Sequence, residues 1–445
     1  MRIALISFHT SPLATLGGKD TGGMNVFVRE IARELGRRGH HVDVFSRSSG
    51  AHALRIDPRL GANVRVIHVP AGPEAPVRKD DLFRWVPAFT EWMCQFAQAE
   101  SGRSALDVDQ PAVAAAPHSR PQGAGPDVPY MPYDVIHANY WLSGLVAENL
   151  RACWGTKFVM TYHTLAELKN QIAQTPADME SDLRLKSECH LSDTADRITA
   201  NTTVEKQQLV RFYGAGSSRI RIVPPGVDLS VFHPIEQSYA KSAIGIPRQH
   251  RMILFAGRIE RLKGIDTLFK AVAVLKQRRP TWDWSNFCVS IIGGDPSQEG
   301  QHQNAEMARL HELRTELGLT DLVTFLGARD QDALHFYYAA AEMLIMPSHY
   351  ESFGMVALEA MACGTPVIAF NRGSVPEIIE HGVTGWIAED EAEAVAAIRQ
   401  VADLSRAEVR RRFERRFSAE RMAEDYLALY RRLAARVRPA LRVVR

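Results

Sequence analysis

Along this chain, short continuous apolar runs alternate with longer stretches in which apolar residues recur every three or four positions, the pattern of buried strands interleaved with helices. The run 2–8 predicts a strand. A polar loop over 9–23 then leads into an amphipathic helix over 24–38 that Gly39 closes, and 41–45 predicts the next strand. Runs at 64–69, 134–138, 158–162, 196–200 and 220–223 follow, with helices expected at 81–99, 142–153 and 183–193. The pattern lapses at Pro224-Pro225-Gly226 and the polar residues up to 245, which read as a hinge. It restarts with strands at 252–256, 287–292, 323–326, 343–346 and 367–370, and with helices at 264–277, 305–317 and from 354 onward. Such alternation predicts an α/β protein of two units, each a mainly parallel sheet covered by helices on both faces. The expected division is 1–230, 231–417 and a C-terminal helix and basic tail over 418–445. Ligands then belong at the carboxyl ends of the strands, in the cleft between the units.

One segment breaks the pattern. Residues 101–132 hold six prolines among alanine and glycine, so neither helix nor strand can run through them, and a mobile surface insertion is expected.

Composition narrows the class. The 445 residues are 46% hydrophobic and 23% charged, as in an ordinary globular protein large enough for two cores. No apolar run approaches the roughly 18 residues of a membrane helix, and the N-terminus enters a strand without a secretory pattern, so no membrane insertion and a cytoplasmic location are expected. A net charge of +2 argues against a nucleic-acid surface. Five scattered cysteines have no metal-ligand spacing and read as reduced packing residues. The arginines over 410–432 are interrupted by acidic residues, which favours a solvated helix face over an anionic-membrane anchor.

Candidate chemistry gathers at the strand ends. Gly22-Gly23 precede a helix whose unpaired N–H groups could meet a phosphate, although the same glycines could simply relieve crowding. GxGxxG is absent and the loop is too long for a dinucleotide turn, which argues against a nicotinamide or flavin enzyme. Histidines stand at three strand ends: His9, His137 and His163. In Gly257-Arg258-Ile259-Glu260-Arg261-Leu262-Lys263-Gly264, Arg258 and Lys263 are spaced to converge on one anion, with diphosphate the obvious candidate. Glu351 lies in a loop before the helix that Phe353-Gly354 open, and Glu359 lies within that helix. Carboxylates on either side of a helix-terminal anion site suit a ligand with hydroxyls flanking phosphate, a nucleotide sugar. Glu351 could equally serve only to complement the helix dipole.

Taken together, Gly-Arg-xxxx-Lys-Gly and Glu351-Ser352-Phe353-Gly354 with Glu359 resemble the retaining nucleotide-sugar glycosyltransferases of family 4, over nearly the whole chain apart from the insertion. The resemblance implies two facing Rossmann-like domains, the GT-B arrangement, with the last helix returning to the first domain. It also implies a UDP-sugar donor held by Gly22, Gly23, Arg258, Lys263, Phe353, Gly354, Glu351 on the sugar, Glu359 on the ribose and the Arg329 backbone on uracil. Transfer would be front-face: UDP leaves as the acceptor hydroxyl arrives on the same side, with Arg258 and Lys263 stabilising the departing charge and His163 aligning the sugar. No metal or other cofactor is then required.

Within the family, His9-Thr10-Ser11-Pro12, Asp20-Thr21-Gly22-Gly23-Met24-Asn25, Asn139-Tyr140-Trp141-Leu142-Ser143-Gly144 and His163-Thr164-Leu165 are similar to the D-inositol 3-phosphate glycosyltransferases of the mycothiol pathway. That likeness implies an acceptor phosphate on Lys79, Tyr140, Thr164 and Arg184, and an acceptor ring against His9, Asp20 and Asn25. Ala138-Asn139 depart from a more usual Ser-His. Sucrose-phosphate synthases share the architecture, so inositol phosphate and fructose 6-phosphate both stay open as acceptors, as do glucose and N-acetylglucosamine as the sugar. A nucleotide-sugar hydrolase or phosphorylase would use the same cleft. A homodimer is among the expected assemblies.

Overall fold

The computed structural model describes residues 1–14, 22–50, 54–101, 131–173, 175–294 and 305–435. The candidate ring contact Asp20, nearly all of the proline-rich insertion and the end of the basic tail lie outside these residues. Two sheets organise the chain. The first has eight strands in the spatial order Ile56–Asp57, Val64–Val69, His41–Arg47, Arg2–Ile6, Val135–Asn139, Phe158–Thr161, Arg197–Ala200, Ile220–Ile222, parallel throughout except for the first strand. The second has six parallel strands in the order Val323–Gly327, Phe287–Ile292, Arg251–Ala256, Met343–Met346, Val367–Phe370, Gly385–Ala388. Strand order reverses beside Arg2–Ile6 in the first sheet and beside Arg251–Ala256 in the second. At such switch points the loops after neighbouring strands diverge and open a crevice.

Each sheet is buried on both faces, which explains why its strands read as continuous apolar runs. The first packs one face on the helices Val86–Ser101 and Trp141–Trp154 through Phe89, Met93, Leu142 and Leu150. Its other face meets the helix Gly23–Arg37 and the C-terminal helix Ala419–Ala435, through Phe27, Ile31, Leu35, Tyr426 and Tyr430. The second sheet has equivalent cores on its two faces. The chain passes between the sheets twice, side by side. Val227 bridges to Ser418, and a side chain at Gly226 would come within 2.2 Å of the Ser418 carbonyl oxygen, so only glycine allows the two crossings to touch. A further contact joins the halves: both Glu377 oxygens accept from the first two N–H groups of the helix Thr203–Tyr213, Thr203 and Val204, each at 2.8 Å.

Three expectations need correction. The helix expected over 81–99 is a 3-10 turn, Lys79–Trp85, followed by an α-helix, Val86–Ser101, because Pro87 lacks an N–H and fits only in a first turn. The polar hinge contains the helix Gln237–Ala243, capped by Glu236, whose carboxylate accepts from the N–H groups of Ser238 and Tyr239. His137 does not face the cleft. It is fully buried under the C-terminal helix, with Nδ1 2.7 Å from the Tyr430 hydroxyl and Nε2 2.8 Å from Thr161 Oγ1. Among the described residues no helix is long and apolar enough to cross a membrane.

Candidate functional site

Both switch points open into one cavity of about 300 Å³ between the sheets. From the first sheet's side it is lined by His9, Gly22, Gly23, Asn25, Lys79, Tyr140, His163 and Thr164, and from the second by Arg258, Lys263, Arg329, Glu351, Phe353, Gly354 and Glu359. Two helix N-termini approach each other across it. Gly23 opens the helix Gly23–Arg37, Gly354 precedes Met355–Ala362, and a side-chain carbon at Gly23 would stand 3.2 Å from Met355 Cγ. Their unpaired N–H groups and dipoles make the gap favourable for an anion. Gly354 has φ 79°, a left-handed conformation that glycine adopts without strain.

The basic motif after Arg251–Ala256 is shaped by Gly264. Its φ is 65°, and a side chain there would lie 2.1 Å from the Pro347 carbonyl oxygen. The turn Arg261–Lys263 is thereby pressed against the loop that begins at Pro347, and Lys263 Nζ reaches Glu351 Oε2 at 2.8 Å. Ser348 Oγ donates to the same Oε2 at 3.3 Å, and the other oxygen, Oε1, accepts from the Gly354 N–H at 3.0 Å. Burial pushes the Glu351 carboxyl up, but the Lys263 ammonium and the N–H groups of Gly354 and Phe353 outweigh it and hold the group below the ordinary carboxylate value. It is ionised at neutral pH. Arg258 is half-exposed, with Nη1 2.8 Å from Glu260. Arg329 donates to the Tyr337 hydroxyl at 3.1 Å and to the Ala328 carbonyl at 3.0 Å.

Glu359 differs from Glu351. It is buried, among the described residues no cation is in hydrogen-bond contact with it, its Oε2 accepts from the Tyr338 hydroxyl at 2.7 Å, and burial pushes its carboxyl up to about 7. Phe353 packs edge-on to Phe417, so it shapes the wall from the core side.

The first sheet's side of the cavity is built around Tyr140, a non-glycine residue at φ 77°. Lys79 Nζ lies 4.3 Å and the Arg184 guanidinium carbon 4.8 Å from its ring centre, and the His9 ring is 4.5 Å away. Among the described residues the buried Tyr140 hydroxyl and His9 Nδ1 have no hydrogen-bond partner. Burial first, and then the charges of Lys79 and Arg184, push the His9 imidazole well below its usual value. Asn25 is buried and committed to the loop: Oδ1 accepts from the Gly22 N–H, and Nδ2 donates to Thr10 Oγ1 and Ser11 O.

Arg184, which the resemblance puts on the acceptor phosphate, stands behind Tyr140. It is only 1% exposed and does not reach the cavity wall. Nε donates to Glu188 at 2.7 Å, Nη2 donates to the Thr164 carbonyl at 2.9 Å and hydroxyl at 3.0 Å, and Nη1 lies 2.8 Å from Glu180. Glu188, one turn further along the same helix, and Glu180, just before the helix N-cap, draw the guanidinium inward. It supports Thr164 and Tyr140 from beneath. Sequence reasoning also passed over Tyr338 and Ser348, which hold the two glutamates. No periodicity marks either residue, since each acts across a tertiary contact.

Two family models match the chain: "Glycosyl transferase 4-like domain" over residues 22–226 and "Glycosyl transferases group 1" over 237–418. The D-inositol 3-phosphate glycosyltransferase of Saccharomonospora viridis is 37% identical over 98% of this chain and 95% of its own length. That of Acidothermus cellulolyticus is 38% identical over 99% and 92%. Among solved structures, a sucrose-phosphate synthase from Thermosynechococcus elongatus is 31% identical and superposes with a TM-score of 0.81, covering 98% of this chain and 99% of that one. Two parallel α/β units with one cavity at their joint switch points, matched end to end by these proteins, make the chain a member of the group 1 glycosyl transferases, the retaining family 4 enzymes of GT-B architecture.

Proposed function

We propose that this glycosyltransferase moves a hexose from a UDP-sugar, either UDP-N-acetylglucosamine or UDP-glucose, to a phosphorylated polyol, with inositol 3-phosphate as the acceptor. The observation that carries the reading is the corner formed by Lys79, Tyr140 and His9, where a cation stands beside two buried polar atoms that lack partners among the described residues. Buried polar atoms without partners are costly, and an acceptor carrying phosphate and hydroxyls would satisfy them. The family resemblance supports the same residues, and the relatives matched over nearly their whole length carry that acceptor in their names.

On the opposite side the donor's diphosphate would lie between the two helix N-termini, with Arg258 and Lys263 beside it. Glu359 would accept from the ribose and Glu351 from the sugar, the Arg329 backbone would meet uracil, and His163 would align the sugar. Lys263 and Glu351 are already paired, so one ion pair would grip both the leaving phosphate and the ring that loses it. As UDP departs, the acceptor hydroxyl attacks the same face and passes its proton to a phosphate oxygen. Charge developing on that phosphate is stabilised by donors already in place. These cations supply what a metal would, so none is required.

The sucrose-phosphate synthase likeness favours a second reading, transfer of glucose to fructose 6-phosphate. Mass spectrometry of products from each UDP-sugar with inositol 3-phosphate, fructose 6-phosphate and their dephosphorylated forms separates the two. A glycosylated inositol phosphate is expected. Sucrose phosphate as the main product would favour the second reading, and UDP release without any transfer would remove both.

A further inference from the structure

His163 stands at the end of the strand Phe158–Thr161 with φ 63°, a conformation that a residue with a side chain holds only when its surroundings impose it. Its ring meets the edge of Phe27, with centroids 4.9 Å apart, and its Nε2 lies 2.9 Å from Asn139 Oδ1. Asn139 is fully buried at the end of the neighbouring strand, in register with Thr161. Its amide cannot turn over freely, because Nδ2 is directed at the Ile6 carbonyl oxygen, 3.4 Å away on the central strand. The amide therefore presents its oxygen to the imidazole. An amide oxygen only accepts, so the imidazole nitrogen facing it carries the proton and Nδ1 keeps the lone pair.

We propose that Asn139 is a positioning residue which fixes His163 as the neutral Nε2–H tautomer, so that His163 meets a hydroxyl of the transferred sugar as a hydrogen-bond acceptor through Nδ1. This rests on the transferase reading above only for the identity of the hydroxyl. Burial already disfavours the imidazolium, pushing His163 down to about 3. Among the described residues, His9 and His137 are linked to it and are themselves buried and pushed low, and the one ionised carboxylate that lines the same cavity, Glu351, is held in its ion pair with Lys263. A neutral amide keeps it so, where a carboxylate in its place would draw a second proton onto the ring.

The test joins a spectrum to a rate. In long-range 1H–15N spectra of protein labelled in histidine, with the His163 signals assigned by their loss in His163→Gln, the wild type should show the Nε2–H tautomer, unchanged down to pH 5. Asn139→Leu, similar in size but without an acceptor, should populate both tautomers and lower kcat about tenfold or more, with the donor KM changed less than about threefold. Asn139→Asp should keep the tautomer, restore most of that kcat above pH 8, and introduce an acid limb near neutrality as His163 gains its second proton. An Nδ1–H signal in the wild type overturns the proposal. So does Asn139→Leu if it leaves either the tautomer or kcat unchanged, or if Asn139→Asp gives no acid limb. If no sugar is transferred by the wild type, the transferase reading fails while the spectra still report on the tautomer.

Discussion

Glu359 and Glu351 lie in one cavity and carry opposite charge behaviour. The folded Glu359 carboxyl sits at about 7, above its ordinary 4.5, so the folded state holds an extra proton between those values. Its contribution to stability therefore falls as pH rises from about 4.5 to about 7, by at most about 3 kcal/mol. A protonated carboxyl has lost part of its accepting capacity for two ribose hydroxyls. The donor KM should accordingly fall as pH rises from about 6 to about 8, and Glu359→Gln should raise the donor KM and flatten that dependence; a wild-type donor KM independent of pH removes the ribose role. Glu30 and Glu205 are also pushed up to about 7 by burial, so the loss of stability with pH should be reduced but not abolished in that variant. For Lys263→Ala, kcat should drop about 100-fold or more, some 2.7 kcal/mol of transition-state stabilisation. The melting temperature should drop as well, because Glu351 would be left buried without its cation. Lys263→Arg retains the charge and should recover the melting temperature before the rate. Unchanged turnover in Lys263→Ala would exclude this residue from the mechanism.

At the scale of elements, function depends on turns that bring distant segments together. Gly264 is the sharpest case. Gly264→Ala would place a carbon on the Pro347 carbonyl oxygen and impose left-handed strain, so a stability loss of about 1–3 kcal/mol and a fall in kcat are expected as Lys263 moves from Glu351. An unaltered melting curve would show that the turn does not depend on this approach. The basic motif, the glycine loop and the Glu351–Glu359 helix were legible in the sequence because each is a local pattern: a strand, a turn, a helix start. The pairing of Lys263 with Glu351 was not legible, since it joins positions 88 residues apart through a fold that neither motif encodes alone. His137 was misread because its strand is buried to its end by the returning helix, which leaves no cleft for it to face. Arg184 was assigned to the acceptor phosphate from the family likeness alone, and its depth behind Tyr140 was legible only in Glu180 and Glu188, four residues to either side.

Across the whole molecule, two sheets, two adjacent chain crossings and the Glu377 contact with the helix at Thr203 present donor groups and acceptor groups to one another over a single cavity. Since the cations of that cavity are side chains, dialysis against EDTA should leave kcat within about twofold; abolition reversed by a divalent ion would require a metal role instead. The central claim is that the cavity accepts a phosphorylated partner. Arg184 is a poor probe of it, because truncation would leave the buried Glu188 without its cation and disturb the site. Lys79, which lies over Tyr140 at the cavity wall, is the better one. The most direct measurement is kcat/KM for inositol 3-phosphate and for free inositol, in the wild type and in Lys79→Ala. The wild type should strongly prefer the phosphorylated acceptor, and Lys79→Ala should raise its KM about tenfold or more, roughly 1.4 kcal/mol, while leaving the UDP-sugar KM unchanged and narrowing the gap to the free polyol. Equal use of both acceptors by the wild type, or equal impairment of both by Lys79→Ala, would contradict the account.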